Sequence, residues 1–176
     1  MRNKVFFAVS LSISALTAPV AFETHACTSI MVGKQASTDG SVMTSHTCDS
    51  HRTSSQILVV PALKHKPGSQ KLLFKRSDDD NGPMPRYGRQ PTGKIPQAAE
   101  TYGYLAPAYA VMNERQLAIG ESTFGGREER VSDRGLIDCA RPTRLMLERA
   151  ATARDAIRIG GSLIEKHGWC DVGEAL

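Results

Sequence analysis

Past its first 26 residues the chain has no long apolar run, no Cys-x-x-Cys pair and no marked excess of either charge. Each lack excludes a class. Nothing beyond residue 26 approaches the ~20 apolar residues of a membrane-spanning helix, so no stable membrane insertion is expected once that segment is gone. The four cysteines, Cys27, Cys48, Cys139 and Cys170, stand too far apart for a zinc or redox C-x-x-C motif, and neither a metal nor a cofactor is expected. Aromatic residues make up 6% of the chain, and Lys and Arg form no stripe interleaved with them, so nucleic acid is not an expected partner.

What is present at the start is informative. Arg2 and Lys4 lead, an apolar run follows from Val5 to about Leu16, and a more polar stretch with Pro19 ends at Ala26. That is the order of a cleavable export signal, with Thr24 and Ala26 in the small-residue positions before the cut. Residues 1–26 are therefore expected to be a signal peptide and the mature product to be exported, secreted or periplasmic. Its removal takes away Arg2, Lys4 and Glu23, leaving 20 basic against 17 acidic side chains, a net charge of +3. About 150 residues suffice for one domain with a core.

Cleavage after Ala26 makes Cys27 the first mature residue, with a thiol and a free α-amine on one carbon. A thiol attacks carbonyls as thiolate, and an unperturbed cysteine, with a pKa of about 8.5, is mostly protonated near neutrality. An α-amine with a pKa of about 7.7–8 is a suitable base, directly or through water, whereas a peptide nitrogen is not. Export and activation would then be one event. Two competing readings are a structural cysteine that happens to lie at the cut and a lipid-anchored cysteine. Thr24 and His25 argue against the lipid anchor. In an oxidising compartment two of Cys48, Cys139 and Cys170 could pair, with the choice left open.

Along the mature chain, 28–33 and 41–47 read as strands joined by a turn at Asp39-Gly40. Antiparallel pairing then sets Thr47 opposite Cys27, within about two residues, and delivers His46, Cys48 and Asp49 to its neighbourhood. Residues 56–60 form a third strand ended by Pro61, and 61–102 read as a long surface excursion that could wall a pocket. A second hairpin runs from Ala108 to Glu121, with Asn113 at its turn. The last third is helical: Pro142 opens a short helix to about Ala151, Thr152 with Asp155 caps a second, and Gly168 stops it. Gly160-Gly161 within it suggests close packing.

Several near-motifs fail. GRQPTGK, 88–94, has phosphate-loop glycine spacing but Ile95 where Ser or Thr would hold magnesium, and Pro96 where a helix should run. SDDDNG, 77–82, misses the calcium-loop spacing and reads as a solvated turn. GESTF, 120–124, has Phe124 in place of the second glycine of a nucleophile elbow, so Ser122 reads as an ordinary strand-end residue. His51 and His65 lie in loops, and His167 reads as a helix-terminal residue.

Three runs, CTSIMVGKQASTDGSVMTSHTCDS from Cys27, MNERQLAIGESTFGG from Met112 and LMLERAATARDAIRIGGSLIEKHGW from Leu145, resemble the cysteine dipeptidases of the dipeptidase A family. These are N-terminal nucleophile hydrolases, related to secernins and to penicillin and bile-salt acylases. The resemblance implies an α+β fold, the four-layer αββα sandwich, of which 27–176 would be the N-terminal part, incomplete at its C-terminus. It implies Cys27 as nucleophile, Asp49 as holder of the Cys27 amine, Asn113 as oxyanion donor and a small peptide as substrate. His46 stands where relatives often carry Arg. An acylase of the same fold and a non-catalytic exported or anchored protein are the alternatives, and a homo-oligomer is compatible with all of them.

Overall fold

The computed structural model describes residues 27–47, 56–76, 87–107, 109–125, 127–171 and 173–176. Residues 1–26, Cys48, Asp49 and the acidic run 77–82, expected as an export signal, site neighbours of Cys27 and a solvated turn, lie outside the described residues. The described chain is mixed α+β, with antiparallel sheets and two helices.

The first hairpin forms as its turn chemistry predicts. Asp39 Oδ1 accepts the Ser41 N–H at 3.0 Å, and Gly40 takes φ 75°, a conformation glycine adopts without a Cβ penalty. Strands β1 (Ser29–Val32) and β2 (Met43–His46) pair from Ser29↔His46 to Val32↔Met43. The register differs by one residue from the predicted one. Thr47 N donates to Thr28 O at 2.9 Å, and Thr28 N donates to Thr47 Oγ1 at 3.1 Å. Thr47 thus faces Thr28, and His46 faces Ser29.

The predicted excursion is largely sheet, which corrects the sequence reading. β3 (Leu58–Val60) is followed by β4 (Leu63–Lys64), β5 (Gln70–Arg76), β6 (Tyr87–Pro96) and β7 (Glu100–Thr101). β5 and β6 make a long antiparallel hairpin with register shifts at Phe74, where Pro91 is the partner, and β4 pairs with β7. Pro91, Gly88 and Gly93 break any alternation legible in β6, because a proline in a strand is tolerated at an irregularity. What holds the hairpin is burial of Leu73 and Ile95 against Ile137 and Leu145.

β8 (Tyr104–Ala106) pairs with β3 and with β9 (Met112–Asn113). The chain turns at 113–116, where Gln116 N donates to Asn113 O, and returns along β9 through the Met112↔Ala118 bridge. The second predicted hairpin is therefore present. β10 (Ser122–Phe124) pairs with β11 (Gly173–Ala175), so Ser122 opens a strand.

Helix α1 (Arg141–Arg149) has Pro142 near its start, and α2 (Ala153–His167) is capped by Thr152, whose Oγ1 accepts the Asp155 N–H at 3.2 Å. α1 divides the core. Its Leu145 joins the Leu73, Ile95 and Ile137 cluster, while Met146, Leu147 and Ala150 pack with Tyr104, Ala106, Leu117 and Ala156. Gly160 of α2 meets Met146 so closely that an added Cβ would lie 2.6 Å from its sulfur, the tight packing the sequence suggested. Two charged groups on α1 find partners across the fold: Arg141 donates to the carbonyls of Leu136 and Phe74, and the buried Glu148 carboxylate pairs through Oε1 with Lys71 Nζ of β5.

A second close approach lies beside the end of α2. Leu136 N donates to His167 O and Ile137 N to Gly168 O, while a Cβ on Gly135 would stand 2.5 Å from the Trp169 carbonyl carbon and oxygen. Backbone, unlike a side-chain tip, cannot swing aside. Gly135→Ala is therefore expected to force the two segments apart and lower unfolding free energy by about 2 kcal/mol, read as a lower urea midpoint at unchanged slope.

Candidate active site

The first hairpin builds one wall of the site. Cys27 precedes Ser29 by two residues, one strand period, and cross-strand pairing sets Ser29 against His46. Ser29 Oγ lies 2.9 Å from His46 Nδ1. That contact occupies one ring nitrogen, and Nε2 is buried with no hydrogen-bond partner.

The second wall comes from the segment after the Asn113 turn. Gly120 packs on the Ser29–His46 pair: an added Cβ would stand 3.1 Å from His46 Nδ1 and 3.2 Å from Ser29 Oγ. The glycine lets the backbone approach, and the next residue, Glu121, is 2% exposed. Its carboxylate, the Cys27 sulfur and a His46 ring nitrogen lie within 4.8 Å of one another. Cys27 and His46 are half-buried and Glu121 is buried, so the carboxylate is the least accessible of the three. A thiol, an imidazole and a carboxylate at this spacing have the composition of a nucleophile with a proton acceptor and an orienting charge beside it.

Asn113 occupies a different setting. It is 4% exposed, and its Nδ2 donates to Leu147 O at 2.9 Å and Ala150 O at 2.8 Å. Its Oδ1 accepts the amides of Arg115 at 3.0 Å and Leu117 at 3.1 Å. An asparagine amide has two hydrogens, and both are committed to carbonyls at the end of α1 that have no intrahelical partner. Asn113 thus clamps its own turn to the helix. It fixes the hairpin whose returning strand leads to Glu121.

Residues 26–175 match the sequence profile of Peptidase family C69. The chain belongs to that family. Family C69 is the dipeptidase A family of cysteine peptidases, so the suspected relationship holds and the protein is a cysteine-type peptidase, a hydrolase of peptide bonds. No curated protein and no solved structure matches the chain.

Of the residues the sequence nominated, the structure brings Cys27 to the C69 site candidate, sets Asn113 on the end of α1, and leaves Asp49 outside the described residues. It adds Glu121, which the sequence reading passed over, and makes His46 more than a substitute for Arg. Glu121 carried one signal: a carboxylate directly after the apolar return strand Leu117–Gly120, where a buried charge needs a reason. No disulfide joins Cys27, Cys139 and Cys170.

Proposed function

We propose that this C69 peptidase is an exported dipeptidase whose nucleophile is Cys27, unmasked as an N-terminal residue by removal of 1–26. The observation that carries the proposal is the cluster of Cys27, His46 and Glu121, with the thiol on the more accessible side. The antiparallel hairpins and paired helices are taken as part of a four-layer αββα sandwich.

In the proposed cycle the Cys27 thiolate adds to the scissile carbonyl carbon. The C–N bond breaks, the leaving nitrogen takes its proton from the Cys27 ammonium, and a thioester remains. Water then adds to the thioester, gives a proton back to the amine, and releases the acid with the thiolate restored. His46, its Nδ1 in contact with Ser29 Oγ, supplies a second proton acceptor beside the thiol. Glu121 sets a carboxylate beside the thiol and the imidazole. Asp49, on the resemblance alone, holds the Cys27 amine. Backbone N–H groups serve the oxyanion, since the Asn113 amide hydrogens are engaged at α1.

The test is the intact mass and N-terminal sequence of the protein expressed in a secreting host, followed by turnover of matched dipeptides and N-acyl amides. The expected result is a free Cys27 at position one and hydrolysis of dipeptides only. A lipid-modified or differently started product that is still active would overturn the activation step, and turnover of acyl amides alone would overturn the substrate class.

A further inference from the structure

The trio at the proposed site has a second chemical identity. A thiolate, an imidazole nitrogen and a carboxylate oxygen are three of the commonest zinc donors, and here they converge from three separate segments to within 4.8 Å of one another. Tetrahedral zinc, with bonds of about 2.3 Å to sulfur and about 2.0–2.1 Å to nitrogen or oxygen, sets its donors about 3.3–3.6 Å apart, so roughly an ångström of side-chain movement closes the set.

Two further observations point to a ligand. His46 Nε2 is buried without a partner, a condition that costs free energy unless something occupies that position at least part of the time. His46 Nδ1 lies against Ser29 Oγ, the outer-shell contact that typically fixes the tautomer and ring orientation of a metal-bound imidazole. Glu121 offers two oxygens, so it can retain an existing contact and still donate one to a cation. Its burial gives that charge a strong local field.

We infer that Cys27, His46 and Glu121 form a zinc-binding site that blocks the peptidase reversibly. On binding, Cys27 loses its thiol proton to solvent and its sulfur lone pair goes into the Zn–S bond, so the nucleophile is unavailable to a carbonyl. No oxidation state changes. In the mature protein the Cys27 amine is a further donor on the same residue. The blocking role rests on the proposed function; the site itself does not.

Cobalt(II) is the probe, because a thiolate ligand gives it a near-ultraviolet charge-transfer band that other donors lack. The protein recovered from the secreting host, kept reduced, is titrated with cobalt and then with zinc. The expected result is a charge-transfer band that zinc displaces and that Cys27→Ser removes. His46→Ala and Glu121→Gln should weaken binding at least ~10-fold, and Ser29→Ala about 10-fold, with far-ultraviolet circular dichroism unchanged. A band that survives Cys27→Ser would place the metal on Cys48, Cys139 or Cys170 and overturn the inference. So would the absence of any band, or affinities that His46→Ala, Glu121→Gln and Ser29→Ala all leave unchanged. Dipeptide turnover measured alongside separates the two proposals. A band without turnover in the metal-free protein counts against the dipeptidase reading alone, and turnover that zinc leaves unchanged while displacing the band overturns the blocking role.

Discussion

Cys27→Ala is expected to lower dipeptide turnover by at least ~10³-fold, because loss of a covalent nucleophile removes the acyl-enzyme route altogether and leaves only binding and oxyanion contributions. Stability should barely change. Cys27 is half-buried, precedes the first strand and carries no disulfide, and substitutions at such positions usually stay within about 0.5 kcal/mol. The measurement is kcat and KM on a dipeptide, with thermal unfolding of the same preparations. Cys27→Ser keeps size and polarity, yet its hydroxyl is a far weaker nucleophile, so turnover should remain low. Turnover that persists in Cys27→Ala, in a folded protein, would remove the nucleophile from this site whatever the family.

The second large effect is structural. Asn113→Ala is expected to cost about 3 kcal/mol of unfolding free energy, since it leaves two carbonyls at the end of α1 and two turn amides without their partner at a site that is 4% exposed. For a chain of this size that corresponds to a fall in unfolding temperature of about 10 °C. Asn113→Asp is expected to be at least as damaging. It keeps the shape and the acceptor but turns a carboxylate oxygen toward the carbonyls of Leu147 and Ala150, where the amide donated. The paired measurement is urea unfolding together with turnover of the remaining folded protein. An oxyanion donor would show the opposite signature in Asn113→Ala: stability kept and kcat lost.

These two residues show how far the sequence could be read. Cys27 stood out because its proposed role follows from position: the sequence before it has the order of an export signal, and the chemistry of an N-terminal thiol is local. Asn113 was placed correctly at a turn, but its partners are carbonyls on a helix more than thirty positions later, and no spacing announces them. The hairpin at Asp39-Gly40 was readable from turn chemistry, though its register came out one residue off. That shift decides which side chain meets His46. β5 and β6 escaped because Pro91 and two glycines erase the alternation, while their stability comes from Ile137 and Leu145, distant in the chain.

By itself, then, the sequence determined the local elements: the first hairpin, the turn at Asn113, the Thr152 cap and the Gly168 stop. Each depends on backbone preferences and hydrogen bonds within a few residues, which composition and spacing express directly. Tertiary structure alone decided that Glu121 meets Cys27 and His46, that Asn113 closes α1, and that Leu73 and Ile95 join the core. The physical reason is that burial and polar pairing act between whichever groups the packed elements bring together, and that choice is made by the shape of the core rather than by any one segment.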